Sequence, residues 1–204
     1  MRGQEWHSGL MPRISAPTVA EHRQRQRTAL LDAAEAVIVE SGVSGLTFAA
    51  VAQRANLARS SVYEYFPSPA ALLAELVVDR MRGWGAATGE RLASISDPAD
   101  RVAEYVRLSL SSAGPEHRSL AQAVSASELP PECADALAML HAEMASPLVD
   151  ALRDLDVAYP DRAANHVNGV IESARRSIQA GASVRTETRS AIDFILAAVA
   201  AGPR

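Results

Sequence analysis

TFAAVAQRANLARSSVYEYFPSPAALL, residues 47–73, decides the fold of this 204-residue chain. Thr47 can cap a short helix whose Phe48, Val51, Ala52 and Ala55 fall on one face. Asn56 follows where the chain must turn sharply, and Asn tolerates the left-handed backbone better than most non-glycine residues. The spacing predicts a second helix over residues 58–66. It buries Val62 and Phe66 and turns Arg59, Ser60, Ser61, Glu64 and Tyr65 wholly or partly outward. Two short helices joined by a tight turn fill the span of a helix-turn-helix, and the outward set is what the major groove of duplex DNA would meet.

Upstream, residues 1–17 hold Gly3, Gly9, Pro12 and Pro17 without periodicity and read as a flexible extension. Thr18 with Glu21 makes a capping box for a first helix, which runs to about Ser41 before Gly42 stops it. Its apolar side is Leu30, Ala33, Ala34, Val37 and Ile38. Downstream, Ser68 and Pro69 open a fourth helix with the stripe Leu72, Leu73, Leu76 and Val77. That helix is predicted to reach about Trp84, with Gly83, Gly85 and Gly89 weakening its end. The assignment is a helix-turn-helix domain over residues 18–66, a connecting helix over 67–90 and a helical body over 91–204. In the body, Asp97-Pro98 opens a helix to about Ser112, and Gly114-Pro115 opens a short successor to about Ser127. After Pro130-Pro131 a helix carries Cys133, Leu137, Leu140, Met144, Leu148 and Leu152, with a kink expected at Pro147. Pro160-Asp161 starts another helix to about Ala180, and a last one covers roughly residues 186–200.

Composition agrees with an all-α chain. Hydrophobic residues make up 48% and aromatics only 4%, Ala is abundant, and alternating β-branched runs are scarce. A chain of this size and apolar content builds a real core, which excludes a disordered tail protein. The lone Cys133 cannot form an internal disulfide. No signal peptide and no membrane-length apolar stretch is evident, so a cytoplasmic protein without a membrane partner is expected. The net charge of −4 is uneven: residues 1–66 carry seven Arg against six acidic groups, residues 67–204 thirteen against eighteen, and there is no Lys. Arg13, Arg23, Arg25 and Arg27 precede or open the first helix. They could track phosphates or reach a minor groove, or simply lie in a solvated arm.

These residues resemble the DNA-binding head of the TetR family of transcriptional repressors, over roughly residues 29–76. Thr47, the turn Asn56-Leu57-Ala58, the run Val62-Tyr63-Glu64-Tyr65-Phe66, the link Pro67-Ser68-Pro69 and the pair Leu72-Leu73 carry the likeness. It implies a three-helix helix-turn-helix domain followed by a ligand-binding and dimerisation bundle. Three residues depart from the family's pattern. Ala58 stands where Ser or Thr usually caps the recognition helix, at a cost of about 1 kcal/mol. Glu64 replaces a neutral or basic residue, and either accepts from a cytosine amino group or repels the phosphates. Pro69 occupies the place of a phosphate-reaching Lys, although the start of that helix could hold a phosphate on its own amides.

Candidate DNA-binding residues are therefore Thr47, Arg59, Ser60, Ser61, Tyr63, Glu64, Tyr65 and Ser68. Arg59 can donate twice to a guanine, or else meets a phosphate. Ser60 and Ser61 can bond a base edge or a phosphate. Tyr63 and Tyr65 resemble the family's phosphate-clamping hydroxyls, though aromatics at such spacing also serve as core. Thr47 can cap its helix and donate to a phosphate.

A single head reads half a site, which calls for a homodimer on a palindromic operator with half-sites about 34 Å apart. The expected dimer face is Val167, Val170, Ala174, Ile178, Ile192, Ile195, Leu196 and Val199, unless these stripes are simply intramolecular core. The resemblance also implies a small-molecule effector in the body. Candidate lining residues are Trp84, Tyr105, Leu108, His117, Met139, His141 and Met144, a mixture suited to an apolar ligand with one or two hydrogen bonds. No cofactor and no metal site is expected, because the five His are scattered and no phosphate-binding or nucleophile motif is present. The reading is a ligand-released repressor and not an enzyme. Its alternatives are a DNA-binding regulator without a ligand, and a helical small-molecule-binding protein or enzyme.

Overall fold

A computed structural model of the chain describes residues 16–111 and 132–201. Among these residues every regular element is helical. They are α1 (Ala16–Ser41), a 3-10 turn (Val43–Gly45), α2 (Phe48–Arg54), α3 (Arg59–Tyr63), α4 (Pro69–Ala93), α5 (Pro98–Ser111), α6 (Glu132–Asp154), α7 (Pro160–Gln179) and α8 (Val184–Ala201). The short helix expected to end near Ser127, the arm residue Arg13 and most of the N-terminal extension lie outside the described residues.

Four of the described helices stop where left-handed backbone is available. Gly42 ends α1 at φ 71° and Gly181 follows α7 at φ 106°. Asn56 takes φ 53° after α2, and the Leu57 amide reaches back to the Ala52 carbonyl at 2.9 Å. That wrapped bond is what a left-handed residue beyond a helix end permits. Asp156 does the same after α6, at φ 57°.

Four boundaries differ from expectation, three of them for a local reason. α1 begins at Ala16, so Thr18 stands inside the helix and not at its cap. Pro17 is tolerated there because a first-turn amide has no intrahelical partner to lose. α3 ends at Tyr63 with Glu64 as its C-cap, short of the predicted residue 66, since Pro67 disfavours helical backbone at Phe66. α4 continues through its three glycines to Ala93. A Cβ on Gly85 would meet Met144 Cγ at 3.4 Å and one on Gly89 would meet Pro147 Cγ at 3.8 Å, so two of these glycines lie where α6 crosses closely. Helix packing there offsets the roughly 1 kcal/mol that each glycine costs. α8 starts at Val184, two residues earlier than expected.

Two apolar cores result. In the head, α1, α2, α3 and the first half of α4 bury Leu30, Ile38, Val51, Val62, Phe66 and Leu72 together. In the body, Leu92, Val106, Leu110, Leu148, Leu152 and Ile171 form the second core. Each such Leu or Ile contributes about 1.5–3 kcal/mol of burial. α4 belongs to both: Leu72, Leu73, Leu76 and Val77 lie in the head core, Leu92 in the body core, and Trp84 packs against the latter.

Candidate nucleic-acid interface

The head holds α3 from beneath. Val62 and Phe66 are fully buried, which leaves Arg59, Ser60, Tyr63 and Glu64 exposed and Ser61 partly so. Two capped helix starts bracket α3 in sequence. Thr47 Oγ1 accepts from the Ala50 amide at 3.2 Å, and Ser68 Oγ accepts from the Ala71 amide at 3.1 Å. α3 itself starts at Ala58 with no side-chain cap.

Arg59 and Tyr63 form one unit. Arg59 Nη2 donates to the Tyr63 hydroxyl at 3.2 Å, and the guanidinium lies 5.8 Å from the ring centroid. The Tyr63 ring is 53% exposed yet meets Phe48 edge-on at 4.7 Å, which fixes it to α2. Because its hydroxyl accepts from Arg59, its own proton stays available to an incoming oxygen.

Tyr65 is placed differently. Its ring is partly buried against the head core, and its hydroxyl donates to Gln26 Oε1 at 2.5 Å. A phenol has one proton, so in this arrangement Tyr65 ties the turn after α3 to α1, and its proton is engaged within the protomer. The resemblance implies a phosphate clamp at Tyr65; in the protomer Gln26, 39 residues away, is a partner that no local pattern announces.

The arginines of α1 divide as well. Arg23 lies 5.7 Å from the Tyr65 ring centroid, Arg25 donates to the Glu21 carbonyl, and Arg27 pairs with Glu75 of α4. Arg23 is therefore the one of these three beside an aromatic of the candidate surface. Sequence reasoning also passed over Arg80 of α4, which bonds Asp32 and Glu35 of α1.

In the body, the structure brings Trp84 and Tyr105 together, edge-on at 5.9 Å. Tyr105 is 4% exposed and its hydroxyl donates to Asn168 Oδ1 at 3.4 Å. Burial pushes this phenol's pKa up. Met144 lies against Gly85, and Leu108 is half-buried. His117, and the side chains of Met139 and His141, lie outside the described residues. An open groove of about 270 Å³ runs elsewhere, between α7 and α8, past Tyr159, His166, Val170, Phe194 and Val199.

Of the eight residues expected at a dimer face, four lie in the chain's own core and four are partly covered by it. Val167, Ala174, Ile178 and Ile195 are at most 6% exposed within the single chain, and Val170, Ile192, Leu196 and Val199 pack partly against the same core. Period-3.6 spacing identifies a buried side, but here that side faces the chain's own α5 and α6. The most exposed large apolar residues here are Phe194 and Tyr159, 64% and 63% exposed, followed by Val184 at 42%. Gly169 of α7 is exposed as well, and a Cβ there would touch nothing within 4 Å.

Among the described residues no helix is long and apolar enough to cross a membrane, and no group of three His, Cys, Asp or Glu is placed to hold a metal ion.

Residues 30–76 match the family model described as bacterial regulatory proteins, tetR family. A transcriptional regulator named BetI from Paraburkholderia phymatum is 38% identical over 85 residues, which is 41% of this chain and 43% of that relative. The match thus spans less than half the length of that curated relative. Among solved structures, a transcriptional regulator from Saccharomonospora viridis in complex with choline superposes with a TM-score of 0.73 at 20% identity, covering 84% of this chain and 96% of that one. FadR from Bacillus subtilis in complex with stearoyl-CoA gives 0.69 at 15% identity, covering 87% and 99%. At such identities these two structures speak for the fold, and they do so along most of the chain.

Proposed function

From a chain whose residues 30–76 belong to the TetR family of bacterial regulatory proteins, we propose that the whole protein is a sequence-specific transcriptional regulator. It binds a palindromic operator as a homodimer and is released by a small-molecule effector. The observation that carries this reading is the outward face of α3. Arg59, Ser60, Tyr63 and Glu64 stand exposed on a helix pinned by Val62, with Tyr63 further fixed by Phe48. A rigid helix offering a guanidinium, hydroxyls and a carboxylate has the donors and acceptors needed to read base edges in a major groove.

The homodimer is supported by the outer face of α7 and α8. Phe194 and Tyr159 are large apolar rings left in solvent, and Gly169 is a mid-helix glycine that nothing within the protomer requires. A second copy packed here would cover the rings and use the space over the glycine. For the effector, the support is a helical body of the same fold as proteins solved with choline in one case and stearoyl-CoA in another. Those ligands are chemically unlike, so the fold alone does not select one. The mechanism needs only an effector that binds one arrangement of the two heads better than the other.

The test is selection from a randomised duplex pool by the full-length protein at modest salt. An enriched inverted repeat, bound in preference to its scrambled counterpart, is the expected result. Indifference between the two would overturn the reading.

A further inference from the structure

Arg80 sits at the junction of the two cores. Val77, one turn earlier on α4, lies in the head core, and Trp84, one turn later, packs against the body core. Three guanidinium nitrogens are engaged there: Nη2 with Asp32 Oδ1 at 2.5 Å, Nε with Glu35 Oε2 at 2.7 Å, and Nη1 with Asp79 Oδ2 at 2.9 Å. Burial works against the charge, yet the bonds to Asp32 and Glu35 outweigh it and raise the guanidinium's pKa. Asp32 and Glu35 are one turn apart on α1, so a single planar fork spans a helical turn of the head.

We propose that Arg80 is a positioning residue for DNA recognition, setting the angle of the head on α4 and with it the half-site spacing that a dimer accepts. The proposal rests on the DNA-binding reading above. Apolar burial between α1 and α4 is non-directional, and packed helices of this kind tolerate crossing angles that scatter by about 15–20°. A guanidinium bonded to two carboxylates has a fixed plane and fixed directions, so it selects one rotation among those the apolar contact allows. The second pair across the same contact, Arg27 with Glu75, lies nearer the start of α4 and is a single contact. α2 packs on α1 and α3 on α2, so turning α1 turns the recognition helix. One added base pair displaces a half-site by about 3.4 Å and rotates it by about 35°, so a freedom of about 15–20° in each of two heads is the order needed to change which spacing fits.

The experiment is the same selection, run with full-length wild type, Arg80→Gln, the double variant Asp32→Asn/Glu35→Gln, and Arg54→Gln. Arg54 bonds Glu40 within the head at a similar distance, 2.5 Å, and serves as the control. Wild type and Arg54→Gln are expected to enrich one spacing, favoured by about tenfold or more over its neighbours, whereas Arg80→Gln and the double variant keep the half-site sequence but favour that spacing by less than about threefold. Their salt dependence stays that of wild type, because no phosphate contact is lost. A single sharp spacing in both variants overturns the proposal. So does a changed half-site sequence or a shallower salt slope, either of which marks direct DNA contact. Should Arg80→Gln fold poorly, judged by its melting curve, the double variant supplies the same comparison from the other side of the bonds. If the wild type itself enriches no inverted repeat, it is the DNA-binding reading that fails, and this proposal goes with it.

Discussion

Tyr63 and Tyr65 are two residues apart, share a motif and have opposite environments. Tyr63 keeps its proton free beside Arg59, and Tyr65 gives its proton to Gln26. Tyr65→Phe is therefore expected to lower the stability of the fold by about 0.5–1.5 kcal/mol, read from denaturant unfolding. Tyr63→Phe should leave unfolding unchanged, since the edge contact with Phe48 survives, and weaken binding to selected and random duplexes alike by about 1 kcal/mol. The reverse assignment of the two losses would show that the hydroxyls exchange roles on DNA. Arg59→Ala should weaken operator binding by about 1–3 kcal/mol and relax one base position; equal losses on all sequences would make it a phosphate contact. At this scale the sequence reveals which residues face outward, because buried Val62 and Phe66 set the phase. It could not show where a hydroxyl points, since Gln26 and Arg80's carboxylates are distant in the chain and carry no pattern of their own.

Among the elements, α3 is the one with the weakest start. Its N-cap is Ala58, with extended backbone and no side-chain bond. Ala58→Ser should add about 0.5–1 kcal/mol to the unfolding free energy, and an unchanged melting temperature would mean that other contacts already fix this end. The seam between α4 and α5 responds to acid. Glu104 is bonded by Arg91 at 2.8 Å and by Arg107 at 3.1 Å, and the Arg91 bond above all holds its carboxyl below the ordinary carboxylate range. Its contribution is complete above that range and fades as the pH falls through it, because the unfolded chain then takes up the proton first. Glu104→Gln should consequently flatten the loss of stability that sets in from about pH 5 downward, followed by urea unfolding at several pH values. Element boundaries were readable where a residue with special backbone freedom stands, as at Asn56, Gly42 and Gly181. They misled at Gly85 and Gly89, because a glycine that weakens an isolated helix can also admit a neighbouring one, and only the fold reveals α6 crossing at Met144 and Pro147.

For the whole molecule, the outer face of α7 and α8 carries the proposed subunit contact. Phe194→Glu places a charge at the most exposed large apolar position described. It should convert a dimer to monomers in sedimentation equilibrium while leaving helical content intact by circular dichroism. A dimer that persists would move the contact elsewhere. The helix stripes of the body were legible in phase but not in partner: Val167, Ala174, Ile178 and Ile195 mark a side to be covered, and the covering surface turned out to be the same chain. The division of α4 between two cores has a longer reach. Its helix leaves the head core after Val77 and Met81 and joins the body core at Trp84, so Arg82 and exposed Gly83 form a short splice window that neither core claims. A genetic crossover there would carry Arg80 with its carboxylates and deliver a different body intact. On the proposed function, that route would give a lineage a new chemical trigger while it still addressed its old promoters.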